Sequence, residues 1–231
     1  MDTQYINASS EPARSATNFG PFPVENMVMA PAIAEGLALL SVEPNSRVLD
    51  MYGSGRQRAH MISEMLNEYG ILMANVAGAR SMEKAGQGSR DNIVMACLTE
   101  DQLVPSYLGL FDRLLLEVPS HMARHVTPRG RFERQASLLV QAVDLCQVGG
   151  RIVYISHSQS PDDNEMVIDH VLNGVHKGLA LRSIHLSDVT SISGYTQWNS
   201  QQLDPRMANT ARIPVSDQHD GCFLAVLECM H

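Results

Sequence analysis

The sequence FERQASLLVQAVDLCQVGGRIVYISHSQSPDDNEMV, residues 132–167, decides the fold of this chain. Its first half carries apolar residues three and four positions apart, which predicts a helix with one apolar face. These residues are Leu138, Leu139, Ala142, Val143 and Cys146. Gly149 and Gly150 then end the helix and turn the chain into the β-branched run at 152–155, typical of a buried strand. Capping residues at 160–163 begin a second helix, so the stretch predicts a helix, strand, helix unit of an α/β fold.

Six further strands are predicted on either side of this unit, alternating with helices. The strands are placed at residues 47–51, 70–75, 92–97, 111–117, 179–186 and 222–228, and the helices at 28–40, around 61–66 and at 80–85. The first 23 residues show no sustained period and predict an extended N-terminal arm (1–23), so the domain itself covers 24–231. Residues 187–220 are predicted to form one long polar loop before the last strand.

Composition limits the classes of function. The chain has 231 residues, a formal charge of −8 and no apolar run of the roughly 20 residues that cross a membrane. Its start lacks the basic and apolar segments of a secretory signal. The acidic charge argues against a protein that binds nucleic acid on its own, since phosphate contacts need Lys and Arg. Four cysteines without paired spacing favour reduced, buried thiols over disulfides or a zinc site.

Two local features have alternative explanations. Arg124, Arg129 and Arg131 lie in a basic segment and are the candidates for contact with RNA phosphates, although a solvated loop is the commoner explanation. Tyr195 and Trp198 either stack on bases or partner side chains, or fix the polar loop to the domain. The sequence alone leaves both pairs of alternatives open.

A glycine turn follows the first predicted strand. Gly53 and Gly55 stand between that strand and a helix, as in the nucleotide-binding half of a Rossmann-like fold. The same glycines also serve as a tight connection in other α/β proteins, so both interpretations stay open. His121 and His125 have the spacing of a helical metal pair, but no third ligand can be nominated, and no metal site is predicted.

Four segments in order resemble the Nop2/Sun family of RNA cytosine-C5 methyltransferases, and together they cover residues from about 20 to 227. They are VLDM at 48–51, similar to VLDMCAAPGGK; FDRLLLEVPS at 111–120, similar to FDRILLDVPCS; GGRIVYISHS at 149–158 with NE at 164–165, similar to GGxLVYSTCS followed by ENE; and RIP at 212–214 with HDGCF at 219–223, similar to RxxPHxxDGFF. The resemblance implies a Rossmann-like class I S-adenosylmethionine methyltransferase fold. In that fold a seven-stranded, mostly parallel sheet has an antiparallel last strand and helices on both faces.

The positions that carry the family's chemistry hold different residues here. In the family a cysteine thiolate adds to C6 of the target cytosine and a second cysteine assists release. Those two positions are His157 and Ser120. An imidazole does not replace a thiolate in that addition, and a serine hydroxyl needs an activating base. With neither cysteine present, no catalytic residue of the family is in place. Glu117 retains a carboxylate where the family has aspartate.

The cofactor loop departs from the family pattern as well. Arg56 and Gln57 replace two glycines at which the backbone approaches the ligand, and Asn75 and Val76 stand where an acidic residue holds the ribose. The vestigial cofactor contacts are predicted to be Asp50, Gly53, Gly55, Glu100 and Glu117, with Asp101 as an alternative to Glu100 at the adenine amine. The prediction is that no cofactor binds, or S-adenosylmethionine if binding is retained.

These departures predict a pseudoenzyme. Its expected role is structural, as a component or assembly factor of a ribonucleoprotein, with a mitochondrial ribosome or its precursor as the setting. The expected partners are ribosomal RNA and ribosomal or assembly-factor proteins in a hetero-complex, without a membrane. The expected location is the mitochondrial matrix, with the nucleolus or cytoplasm as alternatives. The rival hypotheses are an active S-adenosylmethionine-dependent rRNA cytosine-C5 methyltransferase and a regulatory subunit of such an enzyme.

Overall fold

A computed structural model describes residues 5–7, 31–53, 56–76, 90–118, 127–174, 178–186, 189–216 and 221–230. Several residues named above lie outside these ranges, namely Gly55, Ser120, His121, Arg124, His125 and the helix predicted at 80–85. Among the described residues, no helix combines the length and the apolar character needed to cross a membrane. These residues also contain no cluster of three or more side chains able to hold a metal ion.

Six strands form the parallel half of the main sheet. They are β1 Tyr5–Asn7, β2 Arg47–Gly53, β3 Ile71–Val76, β4 Ile93–Cys97, β5 Phe111–Glu117 and β6 Cys146–Ser156. Their order across the sheet is β1, β4, β3, β2, β5, β6, and every neighbouring pair is parallel. The strand order reverses between β2 and β5. A reversal of this kind opens a crevice at the carboxyl ends of the two strands.

The other half of the sheet is built around an antiparallel strand. Its strands are β7 Leu179–Arg182, β8 Ile192–Ser193, β11 Ala211–Ile213 and β12 Cys222–Cys229, and β9 Gln197–Trp198 and β10 Gln201–Gln202 form a separate ribbon. β12 pairs antiparallel with β6 along most of its length. Its other side pairs with β11 near the start of β12 and with β7 near its end. The predicted antiparallel last strand is therefore confirmed.

The observed sheet is larger than predicted. The α/β fold class is confirmed, but the count of seven strands is wrong, because the main sheet has ten strands within the described residues. The three additional strands, β1, β8 and β11, have two or three residues each. Such strands are too short to show an alternating pattern. The segment 187–220 is accordingly not one continuous loop, since β8 to β11 and a 3-10 turn at Pro205–Asn209 lie within it.

Helices cover both faces of the sheet, as predicted. They are α1 Pro31–Leu40, α2 Arg56–Met65, α3 Pro105–Leu108, α4 Pro128–Leu145 and α5 Glu165–Gly174. Leu37 and Leu40 of α1 pack with Ile62 of α2 against one face. Leu139 of α4 and Ile168 of α5 pack against the other. Successive residues of each central strand point to opposite faces, so both faces of β2, β5 and β6 are buried.

The turn predicted at Gly149 and Gly150 lies inside a strand. Helix α4 ends at Leu145 and β6 begins at the next residue, so the glycines do not end the helix. Gly149 has a φ of 78°. A Cβ on Gly150 would lie 2.8 Å from the carbonyl oxygen of Gln147. Both positions therefore favour glycine. The reason is an irregularity within β6, where its register with β5 shifts, and not a turn at the end of the helix.

Candidate active site

Three side chains meet at the carboxyl ends of adjacent parallel strands. Asp50 lies in β2, Glu117 is the last residue of β5, and His157 follows directly after β6. Because these strands are neighbours and parallel, their carboxyl ends lie on the same side of the sheet. Ligands of open α/β sheets bind in the crevice at this edge. This edge is therefore the candidate active site.

Arg58, in the first turn of α2, joins two of these residues. Its Nε donates to Asp50 Oδ2 at 2.7 Å, and its Nη2 donates to Asp50 Oδ1 at 2.8 Å. Nη2 also donates to the carbonyl oxygen of Tyr52 at 2.9 Å, and Nη1 donates to Glu117. Only 3% of the Arg58 side chain is exposed. Burial alone lowers the pKa of Arg58, but the charges of Asp50 and Glu117 outweigh burial and raise it, so the guanidinium stays charged.

Glu117 is held from its other side by His157. The Nε2 atom of His157 lies 2.7 Å from Glu117 Oε1, which places a ring N–H against the carboxylate. Glu117 is 16% exposed and His157 is 27% exposed, so the imidazole is the more accessible of the two. Burial tends to raise the pKa of Glu117, but the hydrogen bond to His157 and the charge of Arg58 outweigh burial and lower it. The carboxylate is therefore fixed between a guanidinium and an imidazole.

Replacing Glu117 with glutamine tests the lowered pKa through the pH dependence of stability. A carboxylate whose pKa is lower in the folded chain than its ordinary value of 4.5 stabilises the fold above that pH. This contribution is lost as the pH falls through the lowered pKa. We expect the wild-type chain to have the higher free energy of unfolding near neutral pH, and the difference from Glu117→Gln to shrink in acid. Urea titrations from about pH 3 to pH 7 measure it, and a difference independent of pH would contradict the assignment.

Glu100 and Asn75 lie on the same edge but are engaged within the chain. The Glu100 carboxylate accepts a hydrogen bond from the Tyr52 hydroxyl at 3.0 Å and another from Arg134. The Asn75 amide donates to the carbonyl oxygens of Met51 and Leu98, and its oxygen accepts from the Leu98 N–H at 2.7 Å. Asn75 therefore ties β3 to the chain on both sides of it. Val76, beside it, is buried.

The described part of this edge fits S-adenosylmethionine, which carries a positive sulfonium and ribose hydroxyls. A Cβ on Gly53 would lie 3.3 Å from Asp50 Oδ2 and 3.4 Å from the Asn75 carbonyl oxygen, so glycine is favoured here by the close packing of β2 against β3. Glu117 and Glu100 supply carboxylates that are partly exposed. Asp50, in contrast, is buried and both its oxygens accept from Arg58. Glu100 and Glu117 are therefore the partly exposed carboxylates that would face a cationic cofactor, while contact of Gly53 and Asp50 with it stays a prediction.

The predicted RNA-binding arginines belong to ion pairs. Arg129 pairs with Glu133 one turn further along α4, and its side chain is 88% exposed. Arg131 lies 3.3 Å from the buried Asp163. Arg124 lies outside the described residues. Contact of these arginines with RNA stays a prediction, and the pairing of Arg129 is of the weak, solvent-exposed kind that an incoming phosphate readily replaces.

The two aromatic residues of the polar segment are fixed to the domain. The Trp198 indole N–H donates to Asp162 at 3.1 Å. The backbone N–H of Tyr195 donates to Glu165 at 2.9 Å, and the Tyr195 ring lies 4.6 Å from the guanidinium carbon of Arg212. Of the two alternatives left open by the sequence, the structure shows the second for both residues.

Arg212 and Glu165 form a buried ion pair beneath the segment that carries His157. The Nη1 atom of Arg212 lies 2.6 and 2.7 Å from the two carboxylate oxygens of Glu165. The Nη2 atom donates to the carbonyl oxygen of Gln159 at 2.5 Å, two residues after His157. Asn164 donates to the carbonyl oxygen of Ser158 at 2.8 Å. These contacts fix the backbone that positions the imidazole.

Sequence reasoning missed both buried arginines. Arg58 was not assigned a role, although it directly follows the two residues at the family's glycine positions. Arg212 and Glu165 lie in two of the segments that resemble the family, but the resemblance implies no contact between them. For Arg212 the available signal was a charged residue between apolar neighbours in a short strand, because such a residue is rarely buried without a partner, whereas the polar sequence of α2 offers no such signal for Arg58.

The model for the family described as 16S rRNA methyltransferase RsmB/F matches residues 37–228 of this chain. The chain belongs to this family. The match begins within α1 and ends at the next-to-last residue of β12, and it includes every described residue of the candidate active site. The predicted resemblance to RNA cytosine-C5 methyltransferases is thus confirmed.

Several relatives of this RsmB/F family member carry activity names. A 28S rRNA (cytosine-C(5))-methyltransferase of Mus musculus is 23% identical over 80% of this chain and 26% of its own length. A tRNA (cytosine(49)-C(5))-methyltransferase of Pyrococcus abyssi is 22% identical over 87% of this chain and 67% of its own length. The chain spans only about a quarter to a third of the rRNA relatives it matches.

Solved structures show the same fold. A methyltransferase homolog from Pyrococcus horikoshii matches with a TM-score of 0.70 and 20% identity, over 86% of this chain and 66% of that one. The NSun6 protein of Pyrococcus horikoshii, solved with SFG, matches with a TM-score of 0.64 and 17% identity, over 87% of this chain and 52% of that one. At these identities the likeness establishes the fold alone.

The prediction that this chain is not an enzyme is wrong. The family and the matched relatives are named as methyltransferases acting on rRNA or tRNA. The missing thiolate at residues 120 and 157 argues against one reaction, the addition of a nucleophile to C6 of cytosine. It is no measure of cofactor binding, and the substitutions at Arg56, Gln57, Asn75 and Val76, on which the prediction also rested, leave the carboxylates of Glu100 and Glu117 in place.

Proposed function

We propose that this RsmB/F family member is an S-adenosylmethionine-dependent methyltransferase that acts on RNA. The observation that carries the proposal is the chain of contacts Asp50, Arg58, Glu117 and His157 at the carboxyl ends of β2, β5 and β6. It places an accessible imidazole and a fixed carboxylate in the crevice where this fold binds its ligands.

Each residue has a distinct part in the proposed site. The cofactor, when bound, supplies an electrophilic methyl group. Glu117 and Glu100 present negative charge to a cationic ligand, and Gly53 allows the close packing of β2 against β3 beside them. Arg58 holds Glu117 from behind, so that the carboxylate is oriented before any ligand arrives. A site oriented in advance spends less free energy on reorganisation when the reaction occurs.

The RNA that we propose is ribosomal, and the chain binds it during ribosome assembly together with protein partners. The proposed location is the mitochondrial matrix. Relatives named for 28S, 26S and 25S rRNA support the choice of RNA. The formal charge of −8 supports docking that is shared with a protein partner, because an acidic chain gains little from phosphate contacts alone.

Methyl transfer from labelled S-adenosylmethionine to ribosomal RNA tests this function. We expect the wild-type chain to incorporate label, and Glu117→Gln to lose on the order of 100-fold or more, as when a site loses an oriented charged group. Asp144→Asn is the matched control, because Asp144 is exposed on α4, and it should retain wild-type incorporation. Absence of both cofactor binding and label transfer in the wild-type chain, with its partners present, would overturn the proposal.

A further inference from the structure

Two of the four cysteines lie at the amino ends of the parallel strands, on the opposite edge of the sheet from the candidate active site. Cys146 begins β6, where it pairs with Phe111 at the start of β5, and Cys229 ends the antiparallel strand β12. Both thiols are free, and both belong to the apolar cluster that α4 and α5 cover. This pair of cysteines is therefore separate from the residues of the candidate active site.

The pairing of β6 with β12 brings the two thiols together. Its register places Glu228 across from Arg151, so the next positions, Cys229 and Gly150, also lie across from each other. A Cβ on Gly150 would lie 2.7 Å from Sγ of Cys146. The Cys146 thiol thus fills the space of a side chain at residue 150. Side chains across a strand pair have Cβ atoms about 4.5–5.5 Å apart, so this space is next to Cys229.

The two thiols differ in their readiness to ionise. A hydrogen bond from Cys146 outweighs burial and lowers the pKa of the Cys229 thiol. The same hydrogen bond, together with burial, raises the pKa of Cys146. The Cys146 Sγ also lies 3.6 Å from the carbonyl oxygen of Gln147, which accepts only from a protonated thiol. Because the thiolate is the nucleophile, Cys229 is the more reactive of the two.

The thiols lie just beneath the surface of the protein. Cys146 is 7% exposed and Cys229 is 6% exposed. The residues that follow them in the chain, 147–149 and Met230, are exposed. A small oxidant is therefore suited to this position, whereas a bulky disulfide such as oxidised glutathione is not.

We propose that Cys146 and Cys229 form a redox-sensitive pair that hydrogen peroxide oxidises to a disulfide. The inference is independent of the proposed function, since neither cysteine lies at the candidate active site. The disulfide would tie the start of β6 to the end of β12, two positions far apart in the sequence. A cross-link of this kind constrains the unfolded chain, so the oxidised protein should resist denaturation better than the reduced protein.

The proposed oxidation balances with one molecule of hydrogen peroxide. The Cys229 thiolate attacks one oxygen, the O–O bond breaks, and a sulfenic acid forms with a hydroxide ion, which takes up the proton that the Cys229 thiol released. Cys146 then attacks the sulfenic sulfur, the S–O bond breaks, and the hydroxyl group leaves as water with the proton of Cys146. Two thiols and one peroxide thus give one disulfide and two molecules of water.

Thiol counting and peptide mapping test this inference. The folded wild-type chain is treated with hydrogen peroxide, the excess is removed, and the free thiols are counted in denaturant. We expect two of the four thiols to be lost and to return after treatment with dithiothreitol. Mapping without reduction should find one linkage, between the peptides that contain Cys146 and Cys229. The oxidised sample should also unfold at a higher urea concentration than the same sample after reduction.

Two variants separate this pair from the other thiols. Cys229→Ala should keep its three remaining thiols under the same treatment, because the more reactive sulfur is gone. Cys97→Ala is the matched control, at a cysteine that ends β4, and it should still form the linkage. Retention of all four thiols in the treated wild-type chain, or a linkage that involves Cys97 or Cys222, would overturn the inference. Because the mapping uses the wild-type chain, its result does not depend on the folding of either variant.

Discussion

Replacing Arg58 with methionine is expected to lower the free energy of unfolding by about 3–5 kcal/mol, the usual cost of removing one partner from a buried ion pair. The substitution keeps most of the volume of the side chain but removes the donors to Asp50, Glu117 and the Tyr52 carbonyl oxygen. Asp50 is fully buried and would be left without its cation. Denaturation in urea at neutral pH measures the loss.

Arg90→Met is the matched control for Arg58→Met. Arg90 also donates to a carboxylate at 2.7 Å, that of Glu64, but both side chains are about half exposed. Solvent-exposed pairs of this kind contribute about 0–1 kcal/mol, so the control should remain close to wild type. A loss below about 1 kcal/mol in Arg58→Met would contradict a buried ion pair that contributes to stability.

Arg212→Met is expected to have an effect of similar size, about 3–5 kcal/mol, and to disturb the site as well. Glu165 is fully buried, and both of its carboxylate oxygens lose the contact with Nη1 of the guanidinium. The carbonyl oxygen of Gln159 also loses its donor, which frees the backbone two residues after His157. We therefore expect a lower stability and, at temperatures where the variant is folded, a weaker contact between His157 and Glu117. Urea denaturation and the imidazole resonances of His157 measure the two effects.

A double replacement separates the ion pair from its surroundings. Arg212→Met with Glu165→Met removes both buried charges, and buried pairs replaced by apolar residues of similar volume are often neutral in stability. We expect the double variant to be more stable than Arg212→Met alone. Arg182→Met, at a half-exposed arginine that pairs with Glu228, is the surface control. A double variant less stable than the single one would show that Glu165 stabilises the fold without Arg212, through the hydrogen bond that it accepts from the Tyr195 N–H.

The central strands were predictable because they are buried on both faces. The run from Phe111 to Glu117 has the bounds of the observed strand, since its three consecutive leucines between turn signals are typical of a central strand. The two-residue strands β8 to β10 carry no such period, and pairing with β11 or with each other is what forms them. The same holds for β1, whose strand character depends on its neighbour β4.

The site was predictable in its positions but not in its contacts. The resemblance placed Glu117 and His157 at chemically important positions, yet they are 40 residues apart, and only the parallel pairing of β5 and β6 brings them to 2.7 Å. Arg58 lies eight residues from Asp50, and its bidentate contact depends on how α2 packs across the end of β2. Neither contact follows from periodicity, because both depend on the three-dimensional placement of separate elements.

The place of β12 in the sheet has a consequence for biosynthesis. It lies between β6 on one side and both β7 and β11 on the other, although it is the last strand described along the chain. Chains are synthesised from the N-terminus, and domains generally fold as units. The sheet is therefore expected to close only after residues 222–229 have left the ribosomal tunnel. Until then β6 has an unpaired apolar edge of the kind that promotes aggregation, which makes the nascent chain a natural client of chaperones.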